Sequence, residues 1–114
     1  MKYEFFIGRY QPLHAGHIAL IRTVLDEGKN VCIGLRDIPT DEFNPYSIED
    51  RIAMFNAAFA PELLSGRMKL VVLPDIANVC YGRDVGWGIR EIRLDSETES
   101  ISATALRALE TLVT

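Results

Sequence analysis

The stretch Gly8-Arg9-Tyr10-Gln11-Pro12-Leu13-His14-Ala15-Gly16-His17 decides how this chain of 114 residues folds and where it binds a ligand. It follows an apolar run, Tyr3 to Ile7, that is typical of a buried strand, and it precedes a run with helical spacing, Ile18 to Leu25. The stretch is therefore predicted to be a loop that ends in the start of a helix. Gly8 and Gly16 let backbone N–H groups approach a ligand, and a helix N-terminus favours anions, so this loop predicts a phosphate site.

Two histidines in this stretch, His14 and His17, are the candidate catalytic residues. Each histidine alone has a simpler explanation, as a core or surface residue whose hydrogen bonds are satisfied locally. Together they stand three residues apart at a helix start, so they place two titratable donors on one face of a single turn. This placement favours a role in binding an anion. A zinc site built from the pair and a cysteine fits no usual ligand spacing, and we expect no protein ligand for a metal.

Alternating strand and helix patterns predict the fold class. Strands are predicted over residues 3–7, 30–35 and 69–73, with shorter candidates over 79–81 and 91–94. Helices are predicted over residues 16–27, over 48–59 after the N-cap Ser47, and from Ser102 to about residue 112. Pro61 is expected to end the second helix or to restart a short turn. The order predicts one α/β domain over residues 1–114, a Rossmann-like three-layer sandwich with a mostly parallel five-stranded sheet.

Composition and charge limit the classes of function. Apolar residues make up 48% of the chain and charged residues 25%, as in a compact globular domain. The net charge of −4 argues against a general nucleic-acid binder, because such a protein carries a broad basic surface. No apolar stretch is long enough to span a membrane and the N-terminus lacks a signal-peptide pattern, so we expect a cytoplasmic protein, either monomeric or a homo-oligomer. Cys32 and Cys80 lie in apolar runs and are expected to be buried, reduced thiols.

Two principal motifs and a third stretch resemble those of the HxGH nucleotidyltransferase superfamily, the cytidylyltransferase-like enzymes. Residues 14–17 read HAGH, and the preceding residues 8–12, GRYQP, are similar to the G-R-F-Q-P form of the nicotinamide mononucleotide adenylyltransferases. Residues 101–107, ISATALR, resemble the I-S-x-T-x-x-R signature at the start of the last helix. Residues 44–51, NPYSIEDR, resemble the N-P-F-T-x-x-E-R stretch, with Asp50 in place of glutamate. With both principal motifs in this order, the chain is identified as a member of the superfamily.

The resemblance implies a reaction and a set of site residues. Members of the superfamily transfer a nucleoside monophosphate from a nucleoside triphosphate to a phosphomonoester and release pyrophosphate. His14, His17 and Arg107 match the catalytic positions, and Mg²⁺ is expected as the cation that neutralises the triphosphate. The Gly82-Arg83-Asp84 turn follows a predicted strand at the carboxyl edge of the sheet, where ligands pass. The residues expected to bind the nucleotide are Gly8, Arg9, Tyr10, Gly16, Gly82, Arg83, Asp84, Ser102 and Thr104.

Two further residues are candidates for binding the acceptor. Arg51 lies in the predicted second helix, where it either faces the site or pairs with charges on a solvated helix face. Trp87 stands between Gly86 and Gly88, where it either stacks on a base or nicotinamide ring or packs over the sheet. The sequence leaves both pairs of alternatives open.

Two features of the sequence point to different substrates. The opening motif resembles that of the adenylyltransferases acting on nicotinamide mononucleotide, whereas the short stretch before the last signature is similar to that of the glycerol-3-phosphate cytidylyltransferases. We place adenylyl transfer to nicotinamide mononucleotide first, with cytidylyl transfer to glycerol 3-phosphate or another sugar or polyol phosphate as the alternative. A non-catalytic nucleotide-binding module is the second alternative.

Overall fold

Three parallel strands and two helices form the described part of the protein. The structure, a computed structural model, describes residues 1–83 and 86–93. Its elements in chain order are β1 (Tyr3–Gly8), α1 (Ala15–Asp26), β2 (Asn30–Arg36), α2 (Ile48–Ser65) and β3 (Met68–Leu73). The predicted α/β class is confirmed, as are the first three predicted strands and the first two helices. The predicted last helix, from Ser102, lies outside the described residues.

The register of the sheet determines where a ligand can bind. The strand order is β1-β2-β3, and all pairings are parallel. Gly8 at the end of β1 pairs with Leu35, and Arg36 at the end of β2 pairs with Leu73 at the end of β3. The carboxyl ends of the strands therefore meet at one edge, and the loops that leave β1 and β2 begin there. Ligands of open parallel sheets bind at this edge.

Both helices pack on one face of the sheet. The central strand β2 presents to this face Val31, Ile33 and Leu35, each 0% exposed. The helices cover these side chains with Ile21, Val24, Leu25, Phe55 and Phe59. Because successive residues of a strand point to opposite faces, the second face carries the remaining apolar side chains of the outer strands, among them Phe5, Ile7 and Val71. These three are exposed, so the described residues leave much of the second face open to solvent.

A kink divides α2 into two segments. At Phe59 the backbone leaves helical geometry (φ −132°, ψ 31°), and Pro61 lies at the start of the second segment, where its missing N–H removes no helical hydrogen bond. The helix continues to Ser65, so Pro61 restarts it rather than ending it. Arg22 of α1 stabilises the kink, because its guanidinium donates to the Ala58 carbonyl (3.3 Å) and lies 4.7 Å above the Phe59 ring.

Both ends of α2 are capped. Ser47 accepts a hydrogen bond from the Asp50 N–H (3.0 Å), and the Asp50 carboxylate accepts one from the Ser47 N–H (3.2 Å), which confirms the predicted N-cap. The helix ends at Gly66, whose backbone is left-handed (φ 81°). Its N–H donates to the Leu63 carbonyl. The two caps satisfy backbone groups that the helix itself leaves without partners.

The two shorter predicted strands are wrong within the described residues. Residues 79–81 form no strand, and Val79 and Tyr81 are 84% and 72% exposed. Residues 91–93 form no strand either; Ile92 packs against the core, and nearby Arg90 pairs with Glu27 at the end of α1. A segment of three or four residues is too short for its apolar pattern to distinguish a strand from a loop that buries one side chain, and the described residues of both segments are loops.

The two cysteines differ in exposure. Both are free thiols, but Cys32 is partly buried and Cys80 is exposed. The expectation of a buried thiol is therefore wrong for Cys80, because its apolar run forms no strand. Burial raises the pKa of the Cys32 thiol, so that thiol stays protonated near neutral pH.

We expect Gly66→Ala to lower the free energy of unfolding by about 1 kcal/mol, because a left-handed backbone strains every residue that carries a Cβ. A Cβ at Gly66 meets nothing within 4 Å, so the loss measures backbone strain alone. Gly88→Ala is the matched control: its Cβ is equally unobstructed and its backbone is not left-handed. Urea unfolding followed by circular dichroism measures both variants, and equal losses would contradict the role given to Gly66.

Candidate active site

The two histidines form a reciprocal cap at the start of α1. His14 is the N-cap residue, and its Nδ1 accepts hydrogen bonds from the backbone N–H groups of Gly16 (3.0 Å) and His17 (3.4 Å). In return, the His17 Nδ1 accepts from the His14 N–H (3.2 Å). The arrangement has the hydrogen-bond pattern of a capping box, with imidazoles in place of the usual hydroxyl and carboxylate. The spacing of three residues is therefore required by the cap itself.

The cap fixes the tautomer of both rings. An imidazole whose Nδ1 accepts a hydrogen bond carries its proton on Nε2 when it is neutral. The two rings stack, with centroids 3.7 Å apart and planes at 19°. Both Nε2–H groups are consequently turned away from the backbone of the first turn, side by side. The pair offers two adjacent donors to a ligand at the carboxyl edge of the sheet.

Both rings are held in the neutral form. Burial, with a smaller contribution from the nearby His14, lowers the pKa of His17 to about 4. Burial also lowers the pKa of His14. A proton on either Nδ1 would break the cap, and a positive charge at a helix N-terminus opposes the helix dipole. Near neutral pH the pair therefore donates hydrogen bonds without carrying charge.

The backbone near the cap is already engaged by side chains of the protein. The Gly16 N–H, expected to face a ligand, instead donates to His14. Gly8 accommodates an aromatic ring, because a Cβ at this position would lie 3.2 Å from Cζ of Tyr10. The donors that remain for an anion at this helix start are chiefly the imidazole Nε2–H groups.

Tyr10 supports His17 from the core side. Its backbone is left-handed (φ 50°), and its ring is only 4% exposed. The ring makes edge contacts with His17 and with Phe55, both at 4.9 Å between centroids. Burial raises the pKa of the Tyr10 phenol, so the phenol stays protonated. The Tyr10 side chain thus positions the histidine, and its predicted contact with nucleotide remains a prediction.

Two buried polar side chains hold the loop that follows β1. Gln11, 0% exposed, donates to the Tyr46 carbonyl (3.0 Å) and accepts from the Tyr46 N–H (2.9 Å). Arg51, also 0% exposed, donates to the carbonyls of Arg9 (3.0 Å) and Ser47 (3.3 Å). The interpretation of Arg51 as part of a solvated helix face is therefore wrong. Both side chains tie the loop to the start of α2.

Sequence reasoning missed the structural role of Gln11. A single glutamine between an aromatic residue and a proline has no periodicity that distinguishes a buried position from an exposed one. The reciprocal pair with Tyr46 spans 35 residues of sequence, so it depends on the fold of both loops. The Gln11–Pro12 peptide bond in this loop is cis.

The other predicted site residues lie apart from this cluster or outside the described residues. Arg9 is exposed and donates to Asn44 (3.3 Å), which keeps its guanidinium beside the loop that follows β2. Gly82 and Arg83 are exposed, and Trp87 is 80% exposed, so Trp87 does not pack over the sheet. Ring stacking by Trp87 stays a prediction. The predicted residues that lie outside the described ranges are Asp84, Ser102, Thr104 and Arg107.

The described residues form neither a metal-binding cluster nor a membrane-spanning helix. Within residues 1–83 and 86–93, no three histidine, cysteine or acidic side chains lie close enough together to hold a metal ion. In the same ranges no helix combines the length and the apolar character that crossing a membrane requires.

The histidine cap predicts a pH dependence of stability. Both folded pKa values lie below 6.5, so the unfolded chain binds more protons as the pH falls below that value, and the fold loses stability. The free energy of unfolding falls by at most about 1.4 kcal/mol per pH unit for each histidine. The pKa values of Glu27 and Glu62 lie below 4.5, so the stability that these carboxylates contribute is lost mainly below pH 4.5.

His17→Gln isolates this effect. Glutamine is the usual residue at this position of a capping box, so the cap is kept while the titrating group is lost. We expect the slope of the unfolding free energy between pH 6.5 and 4.5 to fall by roughly half in this variant. Urea unfolding at several pH values provides the measurement, and an unchanged slope would rule out the cap as its source.

Arg51→Met tests whether Arg51 holds the loop. The variant keeps the buried volume but leaves the Arg9 carbonyl without its donor, and we expect a loss of about 1–3 kcal/mol of unfolding free energy. We also expect the imidazole resonances of His17 to shift in nitrogen-15 NMR spectra. Arg67→Met is the matched control, because Arg67 likewise donates to two carbonyls, those of Leu25 (2.6 Å) and Lys29 (2.9 Å), at the opposite edge of the sheet. A His17 shift of the same size in the control would contradict the role of Arg51.

Comparison with known proteins relates this chain to nucleotidyltransferases. The nicotinamide-nucleotide adenylyltransferase of Pyrococcus furiosus is 35% identical over 80 residues, which are 67% of this chain and 43% of the relative. The enzymes of the same name from Thermococcus onnurineus and Thermococcus kodakarensis are each 34% identical, over 66% and 67% of this chain and 41% and 42% of their own lengths. The chain spans about two-fifths of the length of the curated relatives it matches.

A family model, described as cytidylyltransferase-like, matches residues 5–72. The match includes most of β1 and β3, all of α1, β2 and α2, and the histidine cap. It covers more than half of the 114 residues. The family resemblance that the sequence motifs indicated is thus confirmed, and the protein belongs to the cytidylyltransferase-like family.

Proposed function

We propose that this protein transfers an adenylyl group from ATP to nicotinamide mononucleotide and releases pyrophosphate. The observation that carries the proposal is the stacked pair of imidazoles, whose Nδ1 atoms accept hydrogen bonds from the helix start and so leave the Nε2–H groups for a ligand. The family membership and the name shared by the archaeal relatives support this reaction.

The proposed reaction is a single displacement. An oxygen of the acceptor phosphate forms a bond to the α-phosphorus, the bond from that phosphorus to the bridging oxygen breaks, and pyrophosphate leaves with the electron pair. A phosphomonoester has a second pKa of about 6 and is largely a dianion at neutral pH, so the attack requires no general base. The protein has to align two anions and stabilise the charge that develops on the leaving group.

The histidine cap suits the second task. Neutral N–H donors in a fixed position stabilise developing negative charge without reorganising during the reaction. His17, with its pKa of about 4, is a poor proton acceptor near neutral pH. We therefore assign His14 and His17 to hydrogen bonds with the oxygens of the departing pyrophosphate, and no covalent intermediate is required.

The remaining groups of the site are assigned by family motif. Arg107 would contact the β- and γ-phosphates, and Ser102 and Thr104 would donate from the first turn of the last helix. Gly82, Arg83 and Asp84 would border the nucleotide. Mg²⁺ would arrive with the triphosphate as part of the substrate, which needs no cluster of protein ligands.

The second face of the sheet bears on the number of layers in the fold. We propose a single domain in which a further layer covers the second sheet face, giving three layers. The exposed Phe5, Ile7 and Val71 support this proposal, because side chains of this kind are normally covered. We also propose that the protein acts in the cytoplasm.

Cytidylyl transfer to glycerol 3-phosphate or another polyol phosphate is the second candidate. The description of the matching family model favours it, since that description names cytidylyl rather than adenylyl transfer. Both candidates use the same donors for the leaving pyrophosphate, so the histidine cap does not distinguish between them.

The test is pyrophosphate release, measured with ATP and with CTP against nicotinamide mononucleotide, glycerol 3-phosphate and other phosphomonoesters. We expect turnover with ATP and nicotinamide mononucleotide. Turnover confined to CTP with a polyol phosphate would replace the first candidate by the second. Triphosphate binding without release for any pair would leave a non-catalytic nucleotide-binding module.

His17→Glu should lower turnover by about 10²-fold or more, because a carboxylate keeps the helix cap but has no N–H donor for the leaving group. The melting temperature should change by only a few degrees. Calorimetry on the same sample controls for folding, and full activity in the variant would exclude His17 from the reaction.

A further inference from the structure

A groove opens beside the histidine loop at the carboxyl edge of the sheet. Its volume is about 180 Å³, and it is lined by Ile7 and Gly8 of β1, Arg36 of β2 and residues 76–79. Arg36 is the one charged side chain in this lining; the others are aliphatic, apart from the Asn78 amide. Gly8 is also the last residue of β1, where the loop that leads to His14 and His17 begins. The groove and this loop therefore adjoin at Gly8.

Arg36 and the histidine cap lie on opposite faces of the sheet. The side chains of Val31, Ile33 and Leu35 are buried under the helices, so those of Cys32, Gly34 and Arg36 belong to the other face. A Cβ built on Gly34 meets the ring of Phe5 and the side chain of Leu73, which confirms the alternation. The histidines stand at the end of α1, on the helix side of the sheet.

The Arg36 guanidinium is incompletely satisfied. Its Nη2 pairs with the Asp75 carboxylate at 2.6 Å. Its Nε is buried and, among the described residues, has no hydrogen-bond partner. A guanidinium has five N–H donors in a planar fork that matches a phosphate, so one carboxylate oxygen leaves much of its capacity unused. Asp75 is 64% exposed, and it holds the fork in place from the solvent side.

The geometry of displacement at phosphorus places the acceptor opposite the leaving group. The attacking and leaving oxygens are roughly in line. If the histidines on the helix side bind the departing pyrophosphate, the acceptor phosphate approaches from the other side of the strand ends. Arg36 is the described cation that lines a groove on that side.

We propose that Arg36 binds the phosphate of the acceptor and that the body of the acceptor lies in the groove against Ile7, Ile76 and Val79. This inference rests on the proposed nucleotidyl transfer. The aliphatic walls and the Asn78 amide suit an acceptor with a flat heterocycle bearing an amide or similar polar group. A polyol phosphate would leave its hydroxyl groups facing apolar side chains, which disfavours binding.

The experiment measures acceptor binding and turnover separately. Nicotinamide mononucleotide and glycerol 3-phosphate are titrated calorimetrically into the wild-type chain, Arg36→Gln and Arg36→Lys, and pyrophosphate release is measured in parallel. We expect Arg36→Gln to weaken binding of nicotinamide mononucleotide, and to raise its KM, by about ten- to a hundredfold. The KM for ATP should change less than twofold. Arg36→Lys should give an intermediate loss, because it keeps the charge but not the fork.

Lys29→Gln is the control for net charge. Lys29 pairs with Glu4 and Glu27 near the amino edge of the sheet, away from the groove, so its loss should leave acceptor binding unchanged. The melting temperature of each variant verifies that it is folded.

The outcomes separate the two proposals. Unchanged acceptor binding and KM in Arg36→Gln, in an active wild-type protein, would overturn the role of Arg36 and leave the nucleotidyl transfer standing. Arg36-dependent binding without pyrophosphate release would support the acceptor site and overturn the reaction. A wild-type chain that binds neither phosphomonoester, or that binds glycerol 3-phosphate more tightly than nicotinamide mononucleotide, would overturn the acceptor site as proposed.

Discussion

The reciprocal hydrogen bonds between two imidazoles and the first turn of α1 are the interaction on which the site depends. They satisfy backbone donors that a helix start otherwise leaves without partners, and they keep both rings neutral, stacked and in one tautomer. The same residues therefore cap the helix and present the ligand-binding donors. Truncating either histidine would remove the helix cap and the ligand donor together. Only a substitution that preserves the cap therefore isolates the contribution of the imidazole to ligand binding.

The rest of the described structure holds this cap in place. Tyr10 occupies a left-handed backbone and presses its ring between His17 and Phe55, while Gly8 leaves room for the ring. Arg51 reaches from α2 to the Arg9 carbonyl and fixes the preceding turn. Contacts thus connect the core, the loop that follows β1 and the imidazoles. This connection explains why the buried polar side chains Gln11 and Arg51 lie beside that loop.

The sequence predicted the elements that have a clear period or a cap. The first strand, both described helices and the N-cap at Ser47 follow from local patterns, and so does the strand at residues 68–73. The short strand candidates at 79–81 and 91–94 are wrong over their described residues, because a segment of three or four residues is too short for a periodic pattern that distinguishes strand from loop. Of the site, the motif located His14 and His17, but the buried positions of Gln11 and Arg51 depend on contacts between residues 35 and 42 apart in sequence. Such contacts leave no local pattern.

The locked tautomer has a consequence for metal ions. Paired histidines on a helix commonly bind zinc, nickel or copper through a lone pair on nitrogen. In this site the outward Nε2 atoms carry the protons, and each Nδ1 lone pair is used by the helix start. A metal could bind at Nε2 only after the proton moved to Nδ1, and that move would break the cap. The hydrogen bonds of the helix start therefore oppose coordination of a transition metal by these two imidazoles.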